Sequence, residues 1–300
     1  MKVRHEKAQA FLSDLAVKSP ELPFEPTLLP ELFAATSEES IKGTTYIADL
    51  VERSQGLASR VLRLANSAYY GMQTVVSSLN QAIRLLGVYE VRNIILHLGV
   101  SSAVSRMNLP KNFPFEALWE HQLYTATLAR AVAYTVPQTD KLGEDCVSPD
   151  EIYAAGLLHD MGKTMLAALC PEDWTAINDL AREKELPFHT AEEEYWGVDH
   201  SVSGARLLTF WGLPAKLTEL VSWHHVPQLA KPGYQIPTSI LAAANMLAHN
   251  GEESVRDPEL AEKVETLLPG MLDRKKLHEK IASSCDVDRI RSMAKTLTGR

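Results

Sequence analysis

Only three cysteines occur in the 300 residues, Cys146, Cys170 and Cys285, with no CxxC spacing. That scarcity excludes a disulfide framework and a thiolate zinc site, and makes idle thiols in a reducing cytoplasm the expectation. Glycine (15) and proline (16) are also sparse, which excludes collagen-like and low-complexity chains. No stretch approaches the ~18 uninterrupted apolar residues of a membrane span. The opening Met1-Lys2-Val3-Arg4-His5-Glu6-Lys7 lacks the apolar core of a signal peptide. Turn-linked alternating runs are missing too: no Asn-Gly or Asp-Gly joins two strand-like segments, so β structure has little support. Internal repeats are absent.

What is present is an ordinary soluble composition, 45% hydrophobic and 23% charged, with an acid excess that sets the net charge at −8. From Glu252 to Arg300 acidic and basic residues number ten each, so the excess belongs wholly to the first 251 residues. Duplex nucleic acid and anionic membranes are repelled by such a field, and neither is expected as a partner. Length alone suggests about two domains of roughly 150 residues.

The apolar periodicity is helical. Leu57, Val61, Leu64, Ala65 and Ala68 form one stripe, Val91, Ile94, Ile95 and Leu98 a second, and Leu128, Ala129, Val132 and Val136 a third. Thr74 to Ser78 reads as a connector. Ser148-Pro149-Asp150-Glu151 is a capping box with proline at the first helical position, opening a helix through Ile152 to His159 that loosens near Gly162. Asp199 caps the next helix, Ser201 to Phe210, and Pro237-Thr238-Ser239 opens Ile240 to His249. Breakers set the boundaries. A short leading helix gives way to an extended arm over Pro20 to Pro30. Asn108 to Pro114 separates two sets of helices, and Asn250-Gly251-Glu252-Glu253 precedes a charged, amphipathic tail. The tail stripe Leu260, Val264, Leu267, Leu268, Leu272, Leu277 and Ile281 docks by default on its own chain.

Histidine carries the chemical signal. His159-Asp160 is a vicinal imidazole–carboxylate pair ending an apolar helix, His121 lies one turn inside the preceding long helix, His200 opens a helix and His224-His225 ends the one after. Singly, each reads as a hydrogen-bonded core residue. Converging at one end of a bundle, they become a mixed nitrogen and oxygen donor set that suits iron, manganese, zinc or nickel. Asn66-Ser67 is either a ligand contact or a helix C-cap closed by Gly71. Lys163 is either a phosphate contact or a solvated lysine. Glu192-Glu193-Glu194 either includes a carboxylate backing a ligand histidine or is a solvated helix face. Arg274-Lys275-Lys276 is too short a basic cluster to argue for nucleic acid.

Several motifs together resemble a known family. Ala155-Gly156-Leu157-Leu158-His159-Asp160-Met161-Gly162-Lys163 is similar to the A-G-L-L-H-D-I-G-K signature of HD-superfamily domains. Leu62 to Gly71 (LRLANSAYYG) resembles the L-R-L-A-N-S-A-x-Y-G segment of the HDOD family. Ser78, Ala82, Ile83 and Leu86-Gly87 follow its next motif, Glu193, Gly197, His200 and Gly204 its E-x3-G-x2-H-x3-G pattern, and Trp211 to Pro214 and His224 to Pro227 its W-x-L-P and H-H-x-P.

The resemblance spans about residues 22–249. It implies an all-α protein in which an N-terminal helical bundle packs against an HD-superfamily-like helical subdomain. The expected division is 1–21 as helix and arm, 22–250 as the HDOD domain (22–108 bundle, 109–250 HD-like subdomain), and 251–300 as the charged tail. It further implies a cytoplasmic, bacterial-type signal-transduction output module working through a signalling protein or a nucleotide ligand. By the family's ligand pattern, one or two divalent ions would be held by His121, His159, Asp160 and His200, with His224 and His225 serving a second. Asn245 stands where active relatives close the set with Asp. An amide there supplies a dipole in place of a negative charge, and Lys231 to Gln235 (KPGYQ) misses the Gly-Tyr-Pro of HD-GYP phosphodiesterases. A catalytically impaired metal site follows, with Asp160 and Lys163 as the catalytic candidates. The alternative is a metal-dependent phosphohydrolase. A third reading is a sensor with a ligand pocket between the two helical parts.

Overall fold

The computed structural model describes residues 2–37, 40–67, 70–71, 73–136, 147–249 and 258–298. Every regular element among them is helical: α1 Lys2–Lys18, α2 Leu28–Ala35, α3 Thr44–Glu52, α4 Gln55–Ala65, α5 Leu79–Leu86, α6 Val88–Val104, α7 Phe115–Ala133, α8 Pro149–Leu158, α9 Met161–Leu169, α10 Pro171–Glu183, α11 Phe188–Trp196, α12 His200–Phe210, α13 Ala215–Ser222, α14 Gln235–His249, α15 Pro258–Leu267, α16 Arg274–Ser284 and α17 Val287–Thr298. The all-α expectation holds. No helix among the described residues is long and apolar enough to cross a membrane.

The chain divides into two compact units. One comprises Pro20–Arg106, Trp211–Pro214 and Asp286–Arg300. Its core is the predicted stripe of α4 (Leu57, Val61, Leu64) with Leu29, Leu32, Ile47, Leu50 and Ile83 from α2, α3 and α5. Helix α6 runs through it, buried on nearly every face, and α17 covers it with Ile290, Met293 and Ala294. Inside, the buried Arg92 guanidinium lies 4.5 Å from the Phe33 ring centroid and donates to Thr36 Oγ1 at 3.1 Å. The hydroxyl and the ring face each offset part of the cost of burying the cation. Gly87, at φ +89°, turns α5 directly into α6, a left-handed backbone that glycine adopts without strain.

The other unit comprises Met1–Ser19, Met107–Phe210 and Ala215–Cys285. Helices α7, α8 and α14 form its centre, α9 and α13 flank α12, and α1 lies on α11 and α12. The capping box at α8 forms as expected: Ser148 Oγ accepts from Glu151 N, and Glu151 Oε2 accepts from Ser148 N at 2.9 Å. Glu151 also takes the Lys216 ammonium at 2.6 Å, tying α13 to the start of α8. The tail helices dock on their own unit, α15 on α14 and α16 on α7, with Leu260, Val264, Leu268 and Leu277 buried.

Four boundaries differ from the sequence reading. Helix α8 breaks at His159-Asp160, two residues before Gly162, with α9 starting at Met161. Helix α14 starts at Gln235, and α2 begins at Leu28, inside the expected arm. Both take a proline (Pro237, Pro30) into their first turn, where the backbone N–H that proline lacks has no helical acceptor in any case. The leading helix has 17 residues, because Ala8, Phe11 and Leu15 give it a buried face. Ala68, Cys146 and Asn250 to Glu253 lie outside the described residues.

Candidate metal centre

The breaks and ends of these helices bring the histidines together in the second unit. Helices α8 and α9 meet at a sharp corner that carries His159 and Asp160. Gly156 lets α8 approach α7 backbone to backbone: a Cβ there would sit 2.7 Å from Ala126 Cα. Gly162 does the same for α9 and α12, where a Cβ would fall 2.0 Å from the His200 carbonyl oxygen. These two contacts draw His121, His159, Asp160 and His200 into one buried cluster.

Two triads of donor atoms result, each with its atoms within 4.8 Å of one another: His121, His159 and Asp160, and His200, His224 and His225. Their ring nitrogens are oriented by the backbone. His159 Nδ1 bonds the Gly156 carbonyl at 2.7 Å, and His224 Nδ1 bonds that of Val221 at 2.8 Å. A carbonyl only accepts, so each Nδ1 carries the proton and each Nε2 keeps its lone pair. Both Nε2 atoms are buried and have no hydrogen-bond partner. Asp160 Oδ1 faces His200 Nε2 at 2.9 Å. His200 Nε2 and His225 Nε2 face each other at 3.0 Å.

Orphaned buried acceptors are costly, and a cluster of them pointing at common points is what a cation relieves. The donor set therefore fits a divalent ion of the kind that takes mixed imidazole and carboxylate ligands. The electrostatics agree. Burial pushes His121 down to about 4, and His224 to about 4 against its cationic neighbour His200. His159 and His225 are lowered further by burial and by the imidazoles beside them. Burial would raise Asp160, yet His159, Lys163 and His200 outweigh it and keep the carboxyl ionised. His200 is the exception. Burial, the largest single influence, lowers it, but the Glu192 carboxylate and the hydrogen bonds to Asp160 and Glu192 together lift it to about 9.

Glu192 thus answers one open question of the sequence. Its Oε2 accepts from His200 Nδ1 at 2.5 Å and from the His200 backbone N–H at 3.0 Å, which fixes the ring with Nε2 inward. Among Glu192, Glu193 and Glu194, it is this buried member that bonds the candidate ligand His200, and Glu193 of the motif match is exposed. Asp199 accepts from Ser201 N at 3.0 Å, capping α12 as expected.

Two histidines that the sequence reading did not single out join the site. His189 stacks on His225, centroids 4.0 Å apart, and His249 lies 4.3 Å from His121. A periodic signal existed: His249 is one turn beyond Asn245 on α14, and His189 one turn before Glu192 on α11.

Beside the first triad opens a cleft of about 400 Å³. Its floor is His121, Asp160, Lys163 and His249; its walls include Phe113, Trp174 and Phe188, whose rings meet at 5.0 and 5.1 Å. Lys163 faces this cleft while its ammonium holds Asp160 Oδ2 at 2.7 Å. Asn245 is buried beside His121 and offers its ring a side-chain hydrogen bond. Asn66 is placed differently. It belongs to the other unit, caps α4, and clasps Val76: Nδ2 donates to the Leu62 and Val76 carbonyls and Oδ1 accepts from Val76 N, each at 2.8 Å. That pattern is the cap reading. Ser67 follows it, its Oγ without a partner.

A family model, the HDOD domain, matches residues 22–227. The chain belongs to the HDOD family. Its fold recurs in an HDOD domain protein of Geobacter sulfurreducens described as having unknown function (TM-score 0.73, 22% identity, 97% of this chain and 98% of that one). It recurs also in a protein of Shewanella amazonensis SB2B described as a candidate phosphohydrolase (TM-score 0.74, 23% identity, 96% and 98%). An uncharacterized protein of Treponema pallidum (strain Nichols) is 24% identical over 234 residues, 78% of this chain. The HDOD chain spans 43% of that relative's length.

Proposed function

We propose that this HDOD protein is a regulatory module that reads a small phosphorylated ligand, a nucleotide being the best match, over a metal-bearing histidine cluster that turns substrate over poorly. The observation that carries the reading is the cleft itself. It presents Lys163 and the His121 and His249 imidazoles together with a wall of aromatic rings. Phosphate oxygens suit the floor, and a flat base suits Trp174 and Phe188.

Poor turnover follows from charge. Among the residues matched to the ligand pattern, Asp160 is the one carboxylate; Lys163 already neutralises one of its oxygens, and Asn245 brings a dipole where a second carboxylate would stand. A divalent ion bound there would supply Lewis acidity to a phosphoryl oxygen. The chain's own residues then hold and orient. Glu192 fixes His200, the Gly156 and Val221 carbonyls fix His159 and His224, and Lys163 can swing from Asp160 to an incoming phosphate. The near-complete histidine set is the observation favouring the rival reading, a working phosphohydrolase.

One panel separates the two. The metal-loaded protein, offered nucleoside monophosphates, triphosphates and cyclic dinucleotides at 100 times Kd, should gain about 2.7 kcal/mol, a rise of several degrees in Tm, from at least one ligand. Turnover at about 1 per second or faster overturns the regulatory reading in favour of the enzyme. No shift with any ligand, loaded or metal-free, overturns both.

A further inference from the structure

The cleft beside His121 and Asp160 limits both the size and the charge of what it can hold. Its volume of about 400 Å³ lies near the small end of the ~300–1,000 Å³ range of ligand pockets. Its walls differ sharply from its floor. Phe113, Pro114, Leu118, Trp174, Phe188 and Ala248 form the walls, and among their side chains the Trp174 indole alone has a hydrogen-bonding atom. Trp174 packs against both other rings, tilted 56° from Phe113 and 49° from Phe188. The Phe113 and Pro114 carbonyls are already engaged, by Phe115 N at 2.8 Å and Leu118 N at 2.9 Å. A base lodged here is held by its π face, which every base has. Its edge meets no side chain that tells one pattern of donors and acceptors from another, since a lone indole N–H finds an acceptor on any base.

The floor supplies one cation. Lys163 is the one ammonium or guanidinium among the described lining residues. Of its three N–H donors, one goes to Asp160 Oδ2 at 2.7 Å, which leaves two for a ligand. Two suit a single terminal phosphate. Each further phosphate adds negative charge beside the Asp160 carboxylate, with no second lysine or arginine to offset it. The ammonium lies 5.8 Å from the Phe188 ring centroid, so a phosphate on the one and a base on the other belong to a single nucleotide.

We infer that the cleft takes a nucleoside monophosphate without discriminating its base: the phosphate sits on Lys163 and the base stacks in the aromatic wall. Nucleoside triphosphates gain nothing from their extra phosphates, and cyclic dinucleotides are too large. The inference rests on the ligand reading proposed above and narrows it to one class.

The test is isothermal titration calorimetry of the purified full chain, metal-loaded and metal-free, with AMP, GMP, CMP, UMP, adenosine, ATP and cyclic di-AMP. AMP and GMP should bind within about fivefold of each other, as should CMP and UMP, because each pair presents the same stacking area. Adenosine, which lacks the charge, should bind at least about tenfold more weakly than AMP. ATP should bind no tighter than AMP, and cyclic di-AMP more weakly than either. Phe188→Ala should weaken all four monophosphates by similar factors, roughly 5- to 150-fold. Lys163→Gln should abolish the difference between AMP and adenosine, a ratio that a general loss of packing does not move. A wider preference within either pair of bases, adenosine binding as tightly as AMP, or tighter binding of ATP or cyclic di-AMP overturns the inference and leaves the broader ligand reading standing. If none of these compounds binds in either state of the protein, both fail.

Discussion

Gly162→Ala tests whether the site is built by close approach of α9 and α12. The added Cβ would lie 2.0 Å from the His200 carbonyl oxygen, 2.8 Å from its carbonyl carbon and 2.5 Å from Ser203 Oγ. Ser203 can turn away, but the backbone of His200 cannot. Restoring an ordinary contact near 3.4 Å requires α12 to back off by about 1.4 Å, a shift that a packed interior resists. Overpacking of this kind costs typically 1–3 kcal/mol. For a unit of this size that is a Tm fall of roughly 2–12 °C. The same displacement opens the 2.9 Å approach of His200 Nε2 to Asp160 Oδ1, so metal affinity should drop with stability. Gly56→Ala is the control. A Cβ at Gly56 meets nothing within 4 Å, its helix is ordinary, and alanine there should leave stability unchanged or raise it by up to ~1 kcal/mol. Differential scanning calorimetry and metal titration of both variants decide the matter. A Gly162→Ala protein that melts with wild type and binds metal normally would refute the close-approach argument.

Glu192→Gln keeps the shape of the side chain while removing the charge that holds His200; metal affinity should fall 10–100-fold by competition titration, with the fold intact. Asn66→Ala removes three hydrogen bonds that clasp Val76. It should cost about 1–3 kcal/mol in urea denaturation and leave metal affinity within twofold, the opposite of what a ligand-binding Asn66 requires. His97, buried in α6 and pushed by burial down to about 3, must stay neutral in the folded state. Its unfolded form takes up a proton below about 6.5, so its contribution is complete above that pH and is lost as pH falls toward 3. Between pH 7.5 and 5.0 the loss is about 2 kcal/mol. The pH dependence of wild-type stability should exceed that of His97→Leu by this amount over that range, and equal slopes would refute it.

How much of the architecture could be read in advance depended on whether a signal was local. The capping box of Ser148 and Glu151 formed as expected because both partners lie within one turn and satisfy each other's orphan donors. The stretch from Asn108 to Pro114 separated α6 from α7 for a similar reason: prolines and a short polar run stop helices wherever they sit. Boundaries that tertiary contact decides were missed. Glycine at 162 suggested a loosened helix, yet Gly162 sits inside α9 and marks a close approach to His200. The chain breaks instead at His159-Asp160, where the corner aims two ligands at one point. Pro30 and Pro237 looked like helix openers or arm residues, and their places in first turns depend on what packs behind them.

The same division separates the candidate metal ligands from the groups that orient them. His121, His159, Asp160, His200, His224 and His225 stood out because vicinal pairs and helix-end placement are visible in one dimension, and the structure brings all six together. What turns six donors into a site is not visible there. Which nitrogen of His159 or His224 points inward is decided by carbonyls of the preceding turn, Gly156 and Val221, that any sequence would supply. Which glutamate of three backs His200 depends on the helical phase of α11: Glu192 faces inward with Ala191, and Glu194 faces solvent toward Lys184. His249 is the sharpest case. A single histidine at a helix end, beside an apolar run, is indistinguishable in sequence from the core histidine that His97 proves to be. Only its ring contact with His121, 4.3 Å between centroids, separates them, and that contact exists in three dimensions alone.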